Sequence, residues 1–498
     1  MKKKKVIFNA LFGALLGAVS GAAFILAFPP FEIWPLIFIG WVPVLIAQHH
    51  VMPAKLSSIP TALAIGIWLE GYLGPVFRPT GTYMIYLPLV AALISFLVDM
   101  GKRKFNQKTR YRWFVLEGAV SWAGIEMIRL FIPIAGTWGF IAYPLYRQLW
   151  FIQPASIFGI IGVGALIMIV NLVLAQGILY WLKGREGRGV ANPLSSKMVS
   201  RWSSGTALAL VAWTVLSLAL FNPGEGPTVR AAAIQPDISP IVTWNRGEID
   251  LLASIHGEMV TETRKASDEG AAFIVWPEGA LQYDPQEEDP LDLVGLARET
   301  GSHLAVGYVA NVTEPLFRNE ATVIDPGGAF LGVFGKDHPV VFGGERSPTR
   351  GTYPMYDTAI GRLGTIICYD LDYTDTARKL AAQGAQLIGV PSNDWGGIAD
   401  KHYTHVVFRA IENRVAMVKA DGGYDSAIID PFGRINALAS FPEGGGATLV
   451  ADVLIGDGRG TLNTRLGDWV GWLGIAGMAF FTIGGSFLEK AAERKEEI

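Results

Sequence analysis

Eight long apolar stretches constrain this chain more than any other feature of its sequence. They cover residues 6–28, 33–48, 58–77, 83–100, 113–134, 155–182, 204–222 and 468–488. A helix that crosses a bilayer needs about 20 mostly apolar residues, so each stretch is a candidate membrane span. The whole chain is 51% hydrophobic and only 17% charged. That balance is typical of membrane proteins and unusual for soluble enzymes.

Basic residues are distributed unevenly between the two ends of these predicted spans. With the amino terminus inside, the inner segments hold nineteen Lys and Arg residues, and the short outer loops hold only Arg78 and Arg147. Such an excess marks the cytoplasmic side of a membrane protein. The first stretch is also too long for the core of a signal peptide, which spans roughly 7–15 residues. We therefore expect both termini in the cytoplasm and the segment after the seventh span outside it.

The segment between the seventh and eighth spans has a different character. It is rich in charge, and short apolar runs such as Ala272–Trp276 alternate with stretches of helical spacing such as Tyr403–Asn413. This alternation predicts a layered α/β domain. The chain then divides into three parts. They are an N-terminal membrane domain (1–225), an extracytoplasmic α/β domain (226–456), and a C-terminal span with a cytoplasmic tail (457–498).

Three apolar strands of the predicted α/β domain are each followed at once by a reactive side chain. These side chains are Glu278, Lys336 and Cys368. Functional groups converge at strand ends in α/β sheets. A thiolate acts as a nucleophile, a carboxylate transfers protons, and an ammonium group stabilises an anionic oxygen. The set therefore indicates an acyltransferase or an amide hydrolase.

Each of the three residues, taken alone, has a simpler interpretation. Cys368 is the only cysteine, which excludes an intramolecular disulfide and a multi-cysteine metal site, and a lone cysteine usually fills space in a core. Glu278 follows a proline and fits a turn, and Lys336 fits a solvated loop. Their joint occurrence at three strand ends favours a catalytic set.

Four short motifs carry a more specific resemblance. They are Trp-Pro-Glu at 276–278, Gly-Lys-x-His at 335–338, Cys-Tyr-Asp at 368–370 and Pro-Ser-Asn-Asp-Trp at 391–395. In this order they resemble the nitrilase superfamily of carbon–nitrogen hydrolases, which uses a Glu-Lys-Cys triad on an α-β-β-α sandwich. With spans before and after the domain, the whole chain is similar to the apolipoprotein N-acyltransferases, a membrane-embedded family of bacterial enzymes.

The resemblance implies roles for the three residues: Glu278 as general base, Lys336 as oxyanion stabiliser and Cys368 as nucleophile. It implies that a phospholipid is the acyl donor and that the N-terminal diacylglyceryl-cysteine of a lipoprotein is the acceptor, with a thioester between the two steps. It implies a multi-pass protein of the bacterial cytoplasmic membrane, without a cofactor or metal. The net charge of −3 gives no indication of a nucleic-acid partner.

The resemblance also indicates supporting or substrate-binding residues. They are Glu345, Tyr369, Asp370, Asn393, Trp395 and His402. The family carries a second glutamate in a Val-Pro-Phe-Gly-Glu context, where this chain reads Val-Val-Phe-Gly-Gly-Glu up to Glu345. The family's Cys-Tyr-Glu is Cys-Tyr-Asp here, and its Ser-Asn-Asp-Ala-Trp lacks the alanine. The stretch between Glu345 and Cys368 is shorter and more polar than the family's hydrophobic arm.

Two other functions stay open on the sequence alone. The shortened arm suits a membrane-tethered amidase that acts on a small extracytoplasmic amide, and a scaffold with a retired catalytic domain is a third hypothesis. The intact Glu, Lys and Cys contexts argue against the scaffold. Within the predicted fifth span, Glu126 and Arg129 are spaced i, i+3, and we expect them to pair with each other.

Overall fold

The computed structural model describes residues 2–134, 136–184, 194–224, 226–313 and 316–494. The α-helices that precede the α/β domain are α1 (Lys2–Ala27), α2 (Val42–Ile46), α3 (Ile59–Phe77), α4 (Leu87–Asp99), α5 (Lys102–Lys108), α6 (Phe114–Arg129), α7 (Leu149–Ile152), α8 (Ala155–Gly184) and α9 (Ser196–Leu220). The later ones are α10 (Pro240–Asn245), α11 (Ile249–Asp268), α12 (Leu293–Thr300), α13 (Asp375–Ala382), α14 (Tyr403–Asn413), α15 (Leu462–Leu466) and α16 (Trp469–Arg494).

Seven helical segments of the described chain are long and apolar enough to cross a membrane. They are Lys3–Ala27, Trp34–Val51, Ala54–Thr80, Tyr83–Lys108, Ala155–Gly184, Ser196–Leu220 and Trp469–Ala492. Each coincides with one of the eight predicted spans, so the prediction of a polytopic membrane protein is confirmed. Helix α6 lies in the remaining predicted span and has 16 residues, which is shorter than those segments. The count of eight is therefore not confirmed.

Helix α6 nevertheless packs in the centre of the membrane domain. A methyl group added at Gly474 on α16 would lie 2.5 Å from the amide nitrogen of Gly124 on α6, so the two backbones are in close contact. The predicted pairing of Glu126 with Arg129 is wrong. The Glu126 carboxylate accepts a 3.0 Å hydrogen bond from the Trp122 indole. The Arg129 guanidinium, at the end of the helix, instead donates to a backbone carbonyl of the following loop.

The strands of the α/β domain form two sheets of six. The first has the order β12 (Ala447–Leu454), β1 (Thr228–Gln235), β2 (Phe273–Val275), β3 (His303–Thr313), β4 (Leu316–Ile324), β5 (Phe330–Gly335). The second has the order β11 (Ile435–Ser440), β10 (Asp425–Ile429), β9 (Ala416–Asp421), β8 (Leu387–Ser392), β7 (Gly361–Thr365), β6 (Tyr356–Thr358). In each sheet three central strands are parallel and the outer pairings are antiparallel.

Apolar side chains hold these two sheets face to face. Phe273 and Ala305 of the first sheet lie in one buried cluster with Leu387 and Val418 of the second. Helices α11 and α12 cover the outer face of the first sheet. Helices α13 and α14 cover the second, where their apolar residues join the core of the membrane domain. The α-β-β-α sandwich is thus confirmed, and one of its helical layers is shared with the membrane bundle.

A kink in α8 ties this bundle to the α/β domain. Gly159 adopts φ +66° inside α8, a backbone conformation that glycine tolerates without strain. The interruption releases the backbone N–H of Ile160, which donates a 2.7 Å hydrogen bond to the Glu412 carboxylate on α14. This hydrogen bond satisfies the buried N–H and links the membrane domain to the α/β domain.

Candidate active site

Glu278 lies in the loop that follows β2. Its backbone N–H donates a 3.2 Å hydrogen bond to the carbonyl of Ser392 on β8, so the loop is anchored across the sandwich. The side-chain Oε1 accepts hydrogen bonds of 2.7 Å from Lys336 Nζ and from Asn319 Nδ2. With two donors on one oxygen, the carboxylate is held in a single orientation.

Lys336 follows β5 directly, and its side chain is buried between two glutamates. The Nζ atom lies 2.7 Å from Glu278 Oε1 and 3.0 Å from Glu345 Oε2. Burial opposes the positive charge, but the attraction of Glu278 and Glu345 outweighs it and raises the pKa of Lys336 well above its ordinary value. Lys336 is therefore an ammonium group at neutral pH.

Asn319 on β4 links the same two glutamates and was not among the predicted site residues. Its amide nitrogen donates to Glu278 Oε1 and Glu345 Oε1, both at 2.7 Å. The second Glu345 oxygen also accepts a 2.8 Å bond from the backbone of Val340. The extra residue before Glu345 thus leaves its carboxylate beside Lys336. The sequence signal that could have identified this residue was an asparagine inside β4, the strand that pairs with β5, which Lys336 follows.

Cys368 opens a one-turn 3-10 helix, Cys368–Asp372, just after β7. Its φ angle of +44° is strained for a residue with a side chain, and such strain is common at functional sites. Burial and the negative charge of Glu278 raise the pKa of the Cys368 thiol well above its ordinary value, although Lys336 lowers it. The thiol is therefore protonated at rest, and a base must remove its proton before it can attack.

Asp370 lies behind this turn and connects it to the lysine loop. Its carboxylate accepts backbone hydrogen bonds from Ile367 at 2.9 Å, Asp337 at 3.1 Å and His338 at 2.8 Å. Burial raises the pKa of Asp370 to about 7. One side chain thus fixes the residue before Cys368 and the two residues after Lys336 relative to each other.

A buried ion network lies next to the thiol. Asp394 Oδ1 is 3.8 Å from Cys368 Sγ, and the Asp394 carboxylate binds His402 Nδ1 at 2.9 Å and Lys419 Nζ at 2.7 Å. His402 Nε2 is 3.5 Å from Asp372. Burial disfavours a charged imidazole, but Asp394 and Asp372 outweigh it and raise the pKa of His402 to about 10. His402 is therefore an imidazolium at neutral pH.

Two groups of side chains near the thiol have the donor atoms of a metal site. Ligand atoms lie within 4.8 Å of one another in Cys368, Asp394 and His402, and in Asp372, His402 and His405. In both groups the carboxylates already pair with protonated side chains of the protein.

The membrane domain supplies one wall of the site. The Trp138 indole donates a 2.7 Å hydrogen bond to Asp372 Oδ2, and its ring lies 5.8 Å from that of His402. The Trp395 indole donates a 2.7 Å bond to the carbonyl of Val76 on α3. Nothing in the sequence around Trp138 indicated a contact with the residues of this site.

Most of these groups line one cavity of about 450 Å³. Its lining includes Glu278, Lys336 and Cys368 together with Glu345, Tyr369, Asn393, Trp395 and His402. Of the predicted site residues, Asp370 alone does not line it. Apolar side chains from both domains complete the walls, among them Phe77, Trp138, Ile241, Phe317 and Phe342. The cavity therefore combines a polar, charged floor with walls that suit an acyl chain.

Two protein families match successive parts of the chain. Residues 20–173 match the apolipoprotein N-acyltransferase N-terminal domain, and residues 230–461 match the carbon-nitrogen hydrolase family. Among solved structures, an amidase from Nesterenkonia sp. is similar, with 20% identity and a TM-score of 0.38 over 47% of this chain and 93% of that one.

Full-length relatives extend the similarity to both domains at once. The apolipoprotein N-acyltransferase of Geobacter metallireducens is 28% identical, over 91% of each chain. Those of Pseudomonas syringae and Brucella melitensis are each 26% identical, over 82% of this chain and 85% and 84% of theirs. The fold and site define a membrane-embedded enzyme of the carbon–nitrogen hydrolase class. The membrane domain and these relatives identify the enzyme more closely, because the chain is similar over most of its length to the apolipoprotein N-acyltransferases.

Proposed function

We propose that this enzyme moves an acyl chain from a phospholipid to the α-amine of the diacylglyceryl-cysteine that begins a lipoprotein. The observation that carries the proposal is the meeting of Glu278, Lys336 and Cys368 in one cavity whose opposite wall comes from the membrane domain. Both substrates are anchored in lipid, so a site at this junction gains effective concentration for each of them.

In the first step Glu278 takes the thiol proton and Cys368 Sγ attacks the ester carbonyl of the phospholipid. A C–S bond forms, the ester C–O bond breaks, and Glu278 returns the proton to the departing lysophospholipid oxygen. The raised pKa of Cys368 supports this order, because the thiol needs a base before it becomes a nucleophile.

Lys336 stabilises the anionic oxygen of the tetrahedral intermediate. Its ammonium group has three N–H donors, and two of them are directed to Glu278 and Glu345. The third is available to the cavity, where a developing negative charge would accept it. Glu345 and Asn319 keep the lysine and the base in fixed positions and do not themselves take part in proton transfer.

In the second step the lipoprotein amine attacks the thioester. Glu278 accepts the amine proton, the C–S bond breaks, and an amide forms while the sulfur recovers a proton. Water competes with the amine for the thioester. The apolar walls, including Phe77, Trp138 and Phe342, favour aminolysis by keeping water away from the carbonyl.

The course of α6 supports an extracytoplasmic site. Lys108, just before α6, pairs at 3.0 Å with Glu489 near the end of α16. Just beyond the other end of α6, the carbonyl of Pro133 accepts a hydrogen bond from Tyr369 of the catalytic cavity. Helix α6 thus runs from the basic end of the bundle to the α/β domain. When α6 is counted as a membrane crossing, the chain has eight spans. Both termini then lie in the cytoplasm, and the site faces outward from a bacterial cytoplasmic membrane.

A labelling experiment tests the proposal. Purified protein in lipid nanodiscs would be given phospholipid with a radiolabelled acyl chain, and a hydroxylamine-sensitive label on the protein is expected. The label should be absent in Cys368→Ala and should move to a diacylglyceryl-cysteine peptide when one is added. Turnover of small soluble amides without any lipid-derived label would instead favour the amidase.

A further inference from the structure

A second cavity lies at the end of the bundle remote from Cys368. It has a volume of about 750 Å³ and lies between α8 and the first half of α9. Its lining consists of Arg112, Ile169, Ser195, Lys197, Met198, Arg201, Trp202, Gly205, Thr206 and Ala209. Because α9 ends at Leu220, where the chain enters the α/β domain, this cavity opens at the opposite face of the membrane domain.

The mouth of this cavity is strongly basic. Arg112, Lys197 and Arg201 are exposed around it, and no carboxylate is among the described residues that line it. Among the described residues that line the cavity, these three side chains are the charged ones. Three cations grouped at the mouth of one cavity attract an anion of the adjacent lipid surface.

The interior of the cavity is apolar and elongated. Met198, Trp202, Thr206 and Ala209 share one face of α9 and line the cavity together with Ile169 in the middle of α8. From Met198 to Ala209 the helix rises by about 16 Å, which is comparable with an acyl chain. A methyl group added at Gly205 would meet nothing within 4 Å, so the space beside this residue is open.

The far end of the cavity is closed by contacts of Trp213. Its indole donates a 2.8 Å hydrogen bond to the carbonyl of Phe151, and its ring stacks on Phe158 at 5.3 Å. Helix α9 is thus fastened near the end that leads into the α/β domain, and the cavity lies beside its other half. The result is a groove that is open at its basic mouth and apolar along its length.

We propose that this groove is a binding site for an anionic phospholipid of the leaflet remote from the catalytic domain. The phosphate lies among Arg112, Lys197 and Arg201, since guanidinium groups bind phosphate oxygens in a bidentate manner. One acyl chain lies along Met198 and Trp202. The site is distinct from the catalytic cavity and does not depend on the function proposed for it.

Native mass spectrometry of the full-length protein tests the site, with phosphatidylglycerol as probe and phosphatidylethanolamine as the zwitterionic comparison. The triple substitution Arg112→Gln, Lys197→Gln and Arg201→Gln is expected to weaken phosphatidylglycerol binding about tenfold or more. A matched control, Lys3→Gln, Lys4→Gln and Lys5→Gln, removes the same charge from another part of the basic face and should leave the affinity near wild type.

A second pair of variants keeps all charges and tests the groove itself. Gly205→Leu should fill it and reduce phosphatidylglycerol binding, whereas Gly177→Leu on α8, where a methyl group also meets nothing within 4 Å, should not. Equal affinity for both lipids, or equal losses in both triple variants, would overturn the proposal. So would unchanged binding in Gly205→Leu. A lipid held in the catalytic cavity would be insensitive to all of these substitutions.

Discussion

The indole of Trp138 donates a 2.7 Å hydrogen bond to the carboxylate of Asp372, 234 residues further along the chain. Asp372 ends the 3-10 turn that Cys368 begins. The backbone N–H of Thr137 donates a second bond, of 2.8 Å, to the Asp372 carbonyl. A loop of the membrane domain is therefore attached directly to the turn that bears the thiol, so the position of Cys368 depends on how the two domains are docked.

Replacing Trp138 by phenylalanine removes the indole donor and keeps an aromatic ring. A hydrogen bond to a charged group contributes about 1.5–3 kcal/mol, so we expect thioester formation to slow by about 10- to 100-fold. The rate of lysophospholipid release measures this. Trp150→Phe is the control and should keep its activity, because Trp150 lies on α7 and its indole donates to Gln148 rather than to the turn that bears Cys368. Equal rates for both variants would show that the link is dispensable.

Asn319→Asp replaces the amide between Glu278 and Glu345 with a third carboxylate of the same size. Like charges raise the pKa of neighbouring carboxyls, so a proton is retained in the cluster and the general base is partly blocked. We expect thioester formation at pH 7 to fall about tenfold or more, with partial recovery at higher pH. A pH–rate profile measures the effect. Asn436→Asp, at an exposed position, should leave the profile unchanged.

His402 should stabilise the fold in a pH-dependent way. Its pKa rises from 6.5 to about 10 on folding, so its contribution is complete below pH 6.5 and is lost as the pH rises to about 10. The melting temperature of His402→Gln should therefore lie furthest below wild type near pH 6, and the gap should narrow by pH 10. A gap that is constant with pH would show that His402 is neutral in the folded protein.

His256→Gln provides a control of opposite sign for that experiment. Burial lowers the pKa of His256 in the folded state, so its neutral form contributes stability that is lost as the pH falls below 6.5. The gap between wild type and His256→Gln should therefore narrow toward low pH, whereas the gap for His402→Gln widens.

The residues that the sequence identified are those whose position follows from local pattern. Glu278 and Lys336 follow the ends of β2 and β5 in the first sheet, and Cys368 follows the end of β7 in the second. Functional groups converge at such strand ends, here across the two packed sheets. Asn319 escaped notice because it lies inside a strand, where polar residues usually face solvent. Trp138 could not be assigned because its partner belongs to a different domain, and no local periodicity records a contact between domains.

The elements of the fold were likewise predicted where the local sequence pattern was strong. The predicted strand 272–276 appears as β2 (Phe273–Val275), and the predicted helix 403–413 has the bounds of α14. Strands β6 and β11 and helix α10 were missed. The first and last of these are short, with three and six residues, and β11 is only partly buried, so its apolar pattern is weak. The conformations of β6 and β11 are set by the strands that they pair with, and α10 is a single short helix capped by Ser239.

Gly136→Ala tests whether the docking of the two domains matters for catalysis. Gly136 has φ +46°, and a methyl group there would lie 2.7 Å from the backbone oxygen of Asp372. The substitution should push the Thr137–Trp138 loop away from the turn that holds Cys368. We expect at least about a tenfold loss in the rate of acyl transfer, because small displacements of a catalytic group are costly.

Gly81→Ala separates this effect from backbone strain alone. Gly81 also has a positive φ, +63°, but a methyl group there meets nothing within 4 Å. Both alanine variants therefore carry a similar strain of about 1–2 kcal/mol, and only Gly136→Ala presses on the catalytic domain. Both variants should therefore have similar melting temperatures, but only Gly136→Ala should lose activity. If both variants lose activity equally, backbone strain in these two loops rather than contact with Asp372 controls the site.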